Sequence, residues 1–206
     1  MKPRSAGHLH VGHHEVLAEP LDWWTSKFSD IAPVGHALRQ RLHENWTRFH
    51  SLPESKRYAE TESEYSGILL RHLAVANELF EMGEPIFLFR SHLGERKLKG
   101  RQKHQIAGRH LREKMFRLPT GLSEDPEEDD IYFVRALVTS WVPDFFVAMT
   151  RQIADWNETG VTLVSPSTMN IYSPYDGGMD VFVFSVRPDS LEDKFKSWMS
   201  SRADKL

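Results

Sequence analysis

Two short stretches hold the side chains best equipped for chemistry. The first comprises Arg48, His50, Ser55, Lys56, Arg57 and Tyr58. A guanidinium grips a phosphate or carboxylate through two parallel N–H donors, and a nearby imidazole moves a proton close to neutral pH. Arg57 as anion clamp, His50 as acid or base and Lys56 as a second cation would make a phosphoester-hydrolysing or phosphoryl-transfer centre. The competing reading pairs Lys56 and Arg57 with Glu54 and Glu60 on the surface, each bridge contributing about 0–1 kcal/mol. The second stretch holds Tyr172, Tyr175, Asp176 and Asp180. Two carboxylates at this spacing suit a divalent cation or acid–base work. Against this, Asp176 opens an Asp-Gly-Gly turn, where glycine supplies positive φ, and strand alternation sends Asp180 to the face opposite Met179 and Val181.

Elsewhere the chemistry is thinner. The chain has no H-E-x-x-H, G-x-S-x-G or G-x-x-x-x-G-K-[ST] motif, which leaves zincin, α/β-hydrolase and P-loop readings without local support. His8, His10, His13 and His14 offer imidazole ligands but lack a scaffold or supporting shell, so they read as a terminal arm. His72 falls on the apolar stripe of a helix and reads as a hydrogen-bonded core histidine. From Arg90 to Arg117 ten Lys or Arg face only Glu95 and Glu113, followed by six acids between Glu124 and Asp130. That basic run is a candidate nucleic-acid surface, but aromatic residues are sparse in it and the acidic run neutralises it, so it reads as a solvated insertion.

The elements that must position these groups follow from periodicity. Trp46 to Leu52 alternates as a strand and Pro53 stops it. Thr61 and Glu64 form a capping box. Behind it Tyr65, Ile68, Leu69, His72, Leu73, Ala76, Leu79 and Phe80 repeat at helical spacing until Gly83 and Pro85. Strands are predicted at 46–52, 86–89, 131–141, 161–164, 169–173 and 179–185. The 131–141 run is expected near the sheet centre. Covering helices are predicted at 61–82, 143–157 and 189–200, with a shorter one at 33–43. Phe146, Met149, Ile153 and Trp156 mark the buried side of the second. Trp23 and Trp24 should dock residues 21–28 onto the domain. Ile106, Leu111, Met115 and Leu118 give the insertion one loosely packed helix. The fold class is therefore α+β, a single mixed or antiparallel sheet with covering helices. A parallel pair is allowed between 131 and 164. An N-terminal arm occupies 1–30, one domain 31–206, and a charged insertion lies near 90–130.

Composition bounds the setting. The chain has 206 residues, 40% hydrophobic and 27% charged, with a net charge of -3 at pH 7 and no cysteine. The balance fits one globular core and argues against a generally nucleic-acid- or membrane-binding chain. Thiol and disulfide chemistry is excluded. Without an apolar leader or spanning run, the expected location is the cytoplasm.

The block R-F-H-S-L-P-E-S-K-R-Y at 48–58, the pair Arg71-His72 and Y-S-P-Y-D-G-G-M-D-V at 172–181 resemble an uncharacterised bacterial family of hypothetical proteins. That family carries an H-S-L-P-x-S-K-R-Y block early and a P-Y-D-G-G-x-D-V block late, followed by a tryptophan-containing helix. The resemblance covers about residues 40–206 and implies no substrate, cofactor or catalytic residue.

Function at this level rests on what is missing. With no catalytic constellation, many Trp, Tyr and Arg, and segregated charge, the preferred reading is a non-enzymatic module that recognises another protein in the manner of an immunity protein. It needs no cofactor and no metal. The alternatives are the phosphoester enzyme built on residues 48–58 and nucleic-acid binding through 90–117. One geometric question separates them: a cleft shared by 48–58 and 172–180 favours a ligand site, and separate surfaces favour the protein interface.

Overall fold

A computed structural model describes residues 19–29, 31–94, 105–106, 109–110, 116–119, 131–202 and 205. Among the described residues the helices are α1 (Pro20–Phe28), α2 (Gly35–Arg41), α3 (Glu62–Leu79), α4 (Pro143–Ala154) and α5 (Pro188–Lys194). The strands are β1 (Trp46–His50), β2 (Pro85–Leu93), β3 (Gln105–Ile106), β4 (Arg109–His110), β5 (Phe116–Pro119), β6 (Ile131–Ser140), β7 (Val161–Val164), β8 (Ile171–Tyr175) and β9 (Gly178–Phe182). Apart from β3 and β4, which pair with each other, the strands form one open sheet in the order β1-β9-β8-β7-β2-β6, with the short β5 at its end. Every pairing in it is antiparallel. The fold is α+β.

Alternation along the strands divides the core in two. Phe49, Leu88, Leu163, Tyr172, Met179 and Val181 face one way and pack under α3, α4 and α5. Trp46, Phe87, Phe89, Val164, Ile171 and Phe182 face the other way, under α1 and α2. Trp24 on α1 is fully buried, its ring 5.0 Å from that of Phe89 and its indole N–H donating to the Ile31 carbonyl. This docks the segment as its tryptophans predict. Thr61 caps α3 by accepting from the Glu64 amide at 3.2 Å. The Glu64 carboxylate reaches back to the amide of Glu60, one residue earlier than a standard capping box.

The early strand and the closing hairpin are neighbours, as the layered reading requires: β1 pairs with β9 from Trp46–Phe182 to His50–Gly178. Several expectations are corrected. β6 lies beside the end strand β5, and β2, which extends past the predicted 86–89 through Arg90 to Leu93, occupies the interior. No parallel pair forms between β6 and β7, because β2 is hydrogen-bonded between them. Ile106 and Leu118 lie on strands rather than a helix; Leu111 and Met115 fall outside the described residues, as do the four N-terminal histidines and the acidic run 124–130. Among the described residues no helix is long and apolar enough to cross a membrane.

Candidate functional site

The register builds the site. Arg48 on β1 stands opposite Asp180 on β9, and Asp180 opposite Ser173 on β8. The Ser173 hydroxyl meets that of Thr162 on β7 at 3.2 Å. One polar row therefore crosses four strands on the α1/α2 face, next to the apolar row of Trp46, Phe182 and Ile171. Desolvated charge is tolerated only when paired, and here the pairing is complete. Arg48 Nε donates to Asp180 Oδ1 at 2.8 Å and Nη2 to Oδ2 at 3.0 Å, while the Trp46 indole N–H adds a third bond to Oδ1 at 2.8 Å. The guanidinium also lies over two rings, 5.5 Å from Trp46 and 5.1 Å from Tyr175. Its Nη1 makes no hydrogen bond among the described residues, leaving a held cation with donors to spare.

Above this row opens a cleft of ≈ 650 Å³. Arg48, Arg57, Ser173, Tyr175 and Asp180 line it, facing His36 beside the start of α2, His92 on β2 and Tyr132 on β6. Blocks 48–58 and 172–180 therefore share one cleft. Arg57 stands at its rim with 61% of its side chain exposed, and among the described residues only its Nε approaches a carboxylate, Asp176 Oδ2, at 3.3 Å. Tyr175 is mostly buried, which pushes its phenol up to about 12 against the pull of Arg48. The phenol is therefore neutral near pH 7.

The two glycines of the hairpin serve this arrangement. Neither takes a positive φ, so turn chemistry does not account for them. A Cβ on Gly178 would sit 2.3 Å from the Phe49 carbonyl oxygen and 2.8 Å from Tyr175 Oη. In the register His50–Gly178–Tyr175 the missing side chain is the space into which the Tyr175 ring leans. A Cβ on Gly177 would press on Arg57 Cγ at 3.3 Å. Asp176 and Gly177 alone form the turn, shorter than the five residues expected.

The other predicted residues go elsewhere. His50 Nε2 meets Ser55 Oγ at 3.3 Å, and burial, reinforced by Arg48 and Arg71, lowers the imidazole below its ordinary value. Lys56 is tied to Glu60 at 3.1 Å and Glu64 at 2.6 Å. It thus keeps a surface role with a different second partner from the one expected. Tyr172 is fully buried on the opposite face of the sheet, where its hydroxyl lies 2.6 Å from His72 Nδ1; Ser51 Oγ lies 2.7 Å from His72 Nε2. His72 is the hydrogen-bonded core histidine its position implies, held to about 3 by burial and by the neighbouring Arg71. Arg71 itself donates to the His50 carbonyl and lies over Trp198, 5.4 Å from the ring.

Tyr58 is exposed and tilts against Trp156, ring centroids 6.2 Å apart. Trp156 corrects the helix reading, for α4 ends at Ala154 and the indole is 57% exposed. Its neighbours close a pocket of ≈ 60 Å³ that shares Thr159, Gly160, Pro174 and Tyr175 with the main cleft. Gly160, at φ 67, passes so close to β2 that a Cβ would lie 1.8 Å from the Ser91 carbonyl oxygen. Sequence reasoning missed Gly35, His36, Ser91, His92, Tyr132, Thr159, Gly160 and Ser173. Only their convergence in space distinguishes them, although the positive-φ glycine after Asn157 carries a local turn signal.

The profile of a family described as a domain of unknown function (DUF3885) matches residues 34–203. No curated protein and no solved structure matches the chain.

Proposed function

Because the chain belongs to the DUF3885 family, whose function is unknown, we propose its role from the cleft itself: it binds a small anionic molecule, a phosphate or carboxylate compound. One observation carries the reading. Arg48 and Arg57 line a single cleft and retain terminal nitrogens that make no bond among the described residues. Among the described residues two arginines and two histidines line that cleft; its one carboxylate, Asp180, is spent on Arg48, and Asp176 beside it meets only Nε of Arg57. Such a surface favours an anion, and a guanidinium fixed before the ligand arrives loses little freedom on binding.

The phosphoryl-transfer reading needed His50 and Lys56 in the same place. Both are engaged outside the cleft, which supports binding over that chemistry. The protein-recognition reading drew on aromatic residues that the fold largely encloses: Trp24, Trp46, Trp141 and Tyr172 are buried. A small-molecule site accounts for more of the geometry.

The test is thermal unfolding with inorganic phosphate, methyl phosphate and acetate at low ionic strength. A ligand at about a hundred times its Kd stabilises the folded state by about 2.7 kcal/mol. Arg57→Gln should remove the shift, and Lys56→Ala, which lies outside the cleft, should retain it. No shift with any of these anions, or equal loss in both variants, sinks the proposal.

A further inference from the structure

Two strained turns flank the cleft, and each delivers an aromatic side chain to the same spot. Trp156 has φ 59, a left-handed conformation that a bulky residue adopts only when its surroundings impose it. They do so here. The Asp155, Trp156, Asn157 and Glu158 amides all donate back to carbonyls of α4, and Glu158 is anchored by Arg90 at 2.7 Å. On the other side, Glu54 and Ser55 take φ 55 and 56 in succession, just before Arg57 and Tyr58. A glycine or asparagine would satisfy either turn at lower cost. The chain instead places an indole there and leaves it more than half exposed.

What that indole faces indicates its use. Trp156 lines the small pocket that shares Pro174 and Tyr175 with the cleft, and Asp176 in its wall is the partner of Arg57. We infer that the anion bound in the cleft carries a planar unsaturated ring, which stacks at the Tyr58–Trp156 pair while its acidic group meets Arg57 and Arg48. The inference rests on the anion-binding reading above and adds the chemical class of the ligand. Stacking requires an exposed π-face beside the charged site, and the strained backbone supplies one.

Matched probes with and without a ring test it on the full chain: phenyl phosphate against methyl phosphate, and benzoate against acetate. Calorimetry should show each ring compound binding about tenfold or more tighter than its ringless partner. The preference should fall below about twofold in Trp156→Gly, with methyl phosphate affinity unchanged. Phenyl phosphate should quench tryptophan fluorescence in the parent, and Trp156→Phe should abolish the quenching while keeping the preference. The Gly variant also separates recognition from scaffolding. Relief of the left-handed strain offsets the lost ring contact, so its melting temperature should equal or exceed the parent's. Equal affinity for ring and ringless anions overturns the inference while leaving the anion site standing. So does a Gly variant that melts lower and loses both monoesters alike, which would make Trp156 a structural brace. Failure of all four anions to bind removes the anion site and the inference together.

Discussion

Lowering the pH should unfold this protein through a group with no path to solvent. His72 is 1% exposed and bridges Ser51 Oγ and Tyr172 Oη at 2.7 and 2.6 Å. A neutral imidazole offers one donor and one acceptor, so one hydroxyl must donate to it and the other accept from it. Protonation turns both ring nitrogens into donors, so the hydroxyl that donated must turn to accept, its own proton loses its buried acceptor, and a cation is buried beside Arg71. Folding therefore drags the group from its ordinary 6.5 to about 3. The unfolded chain accepts this proton below 6.5 and the folded chain does not until about 3. The contribution is thus complete above 6.5 and is lost as the pH falls toward 3. At about 1.4 kcal/mol per pH unit the full span approaches 5 kcal/mol, and about 3 kcal/mol is gone two units below the unfolded value. A domain stable by about 5–15 kcal/mol feels that loss. Urea midpoints measured across this range for the parent and for His72→Gln, which keeps one donor and one acceptor, isolate the effect. The parent should lose stability faster, by about one proton's slope, roughly 1.4 kcal/mol per pH unit. Parallel pH dependences would refute the argument, because the remaining titrating groups are common to both chains.

Asp180→Ala leaves Arg48 desolvated and unpaired. It should cost about 3–5 kcal/mol in urea unfolding, whereas replacing Arg48 and Asp180 together by apolar residues should recover much of that loss. A double variant no more stable than the single would count against a buried-charge origin. Gly178→Ala drives a methyl group into the Phe49 carbonyl and the Tyr175 ring, so it should destabilise by about 1–3 kcal/mol and weaken anion binding by displacing Tyr175 from Arg48. A neutral result would mean that the β1–β9 pairing yields more readily than the close approach implies.

Much of the fold was legible in the chain because its signals are local. Thr61 and Glu64 announce a helix start whatever lies around them, and the repeat from Ile68 through Leu79 follows from one turn to the next. His72 could be assigned to the core because a polar residue on an apolar stripe must find hydrogen-bond partners. Alternation also placed Asp180 on the opposite face from Met179 and Val181. Strand order was another matter. The placement of β2 between β6 and β7 depends on pairings between residues from 39 (Leu93–Tyr132) to 77 (Phe87–Val164) positions apart, and no local pattern encodes them.

The candidate site divides in the same way. Residue type alone marked Arg48, Arg57, Tyr175 and Asp180, since guanidinium, phenol and carboxylate carry their chemistry wherever they lie. Which of them act together was decided by register. The β1–β9–β8 pairing brings Arg48, Asp180 and Ser173 into one row, while the two-residue repeat of the same strands sends Tyr172 through the sheet to His72. Lys56 was captured by two glutamates of its own turn and helix. Trp156 shows the limit most plainly: helical spacing assigned it to the core, but the helix stops two residues earlier and a left-handed turn carries the indole outward. Periodicity reports what neighbours along the chain prefer, whereas a cleft is made by residues that meet only after the sheet has closed.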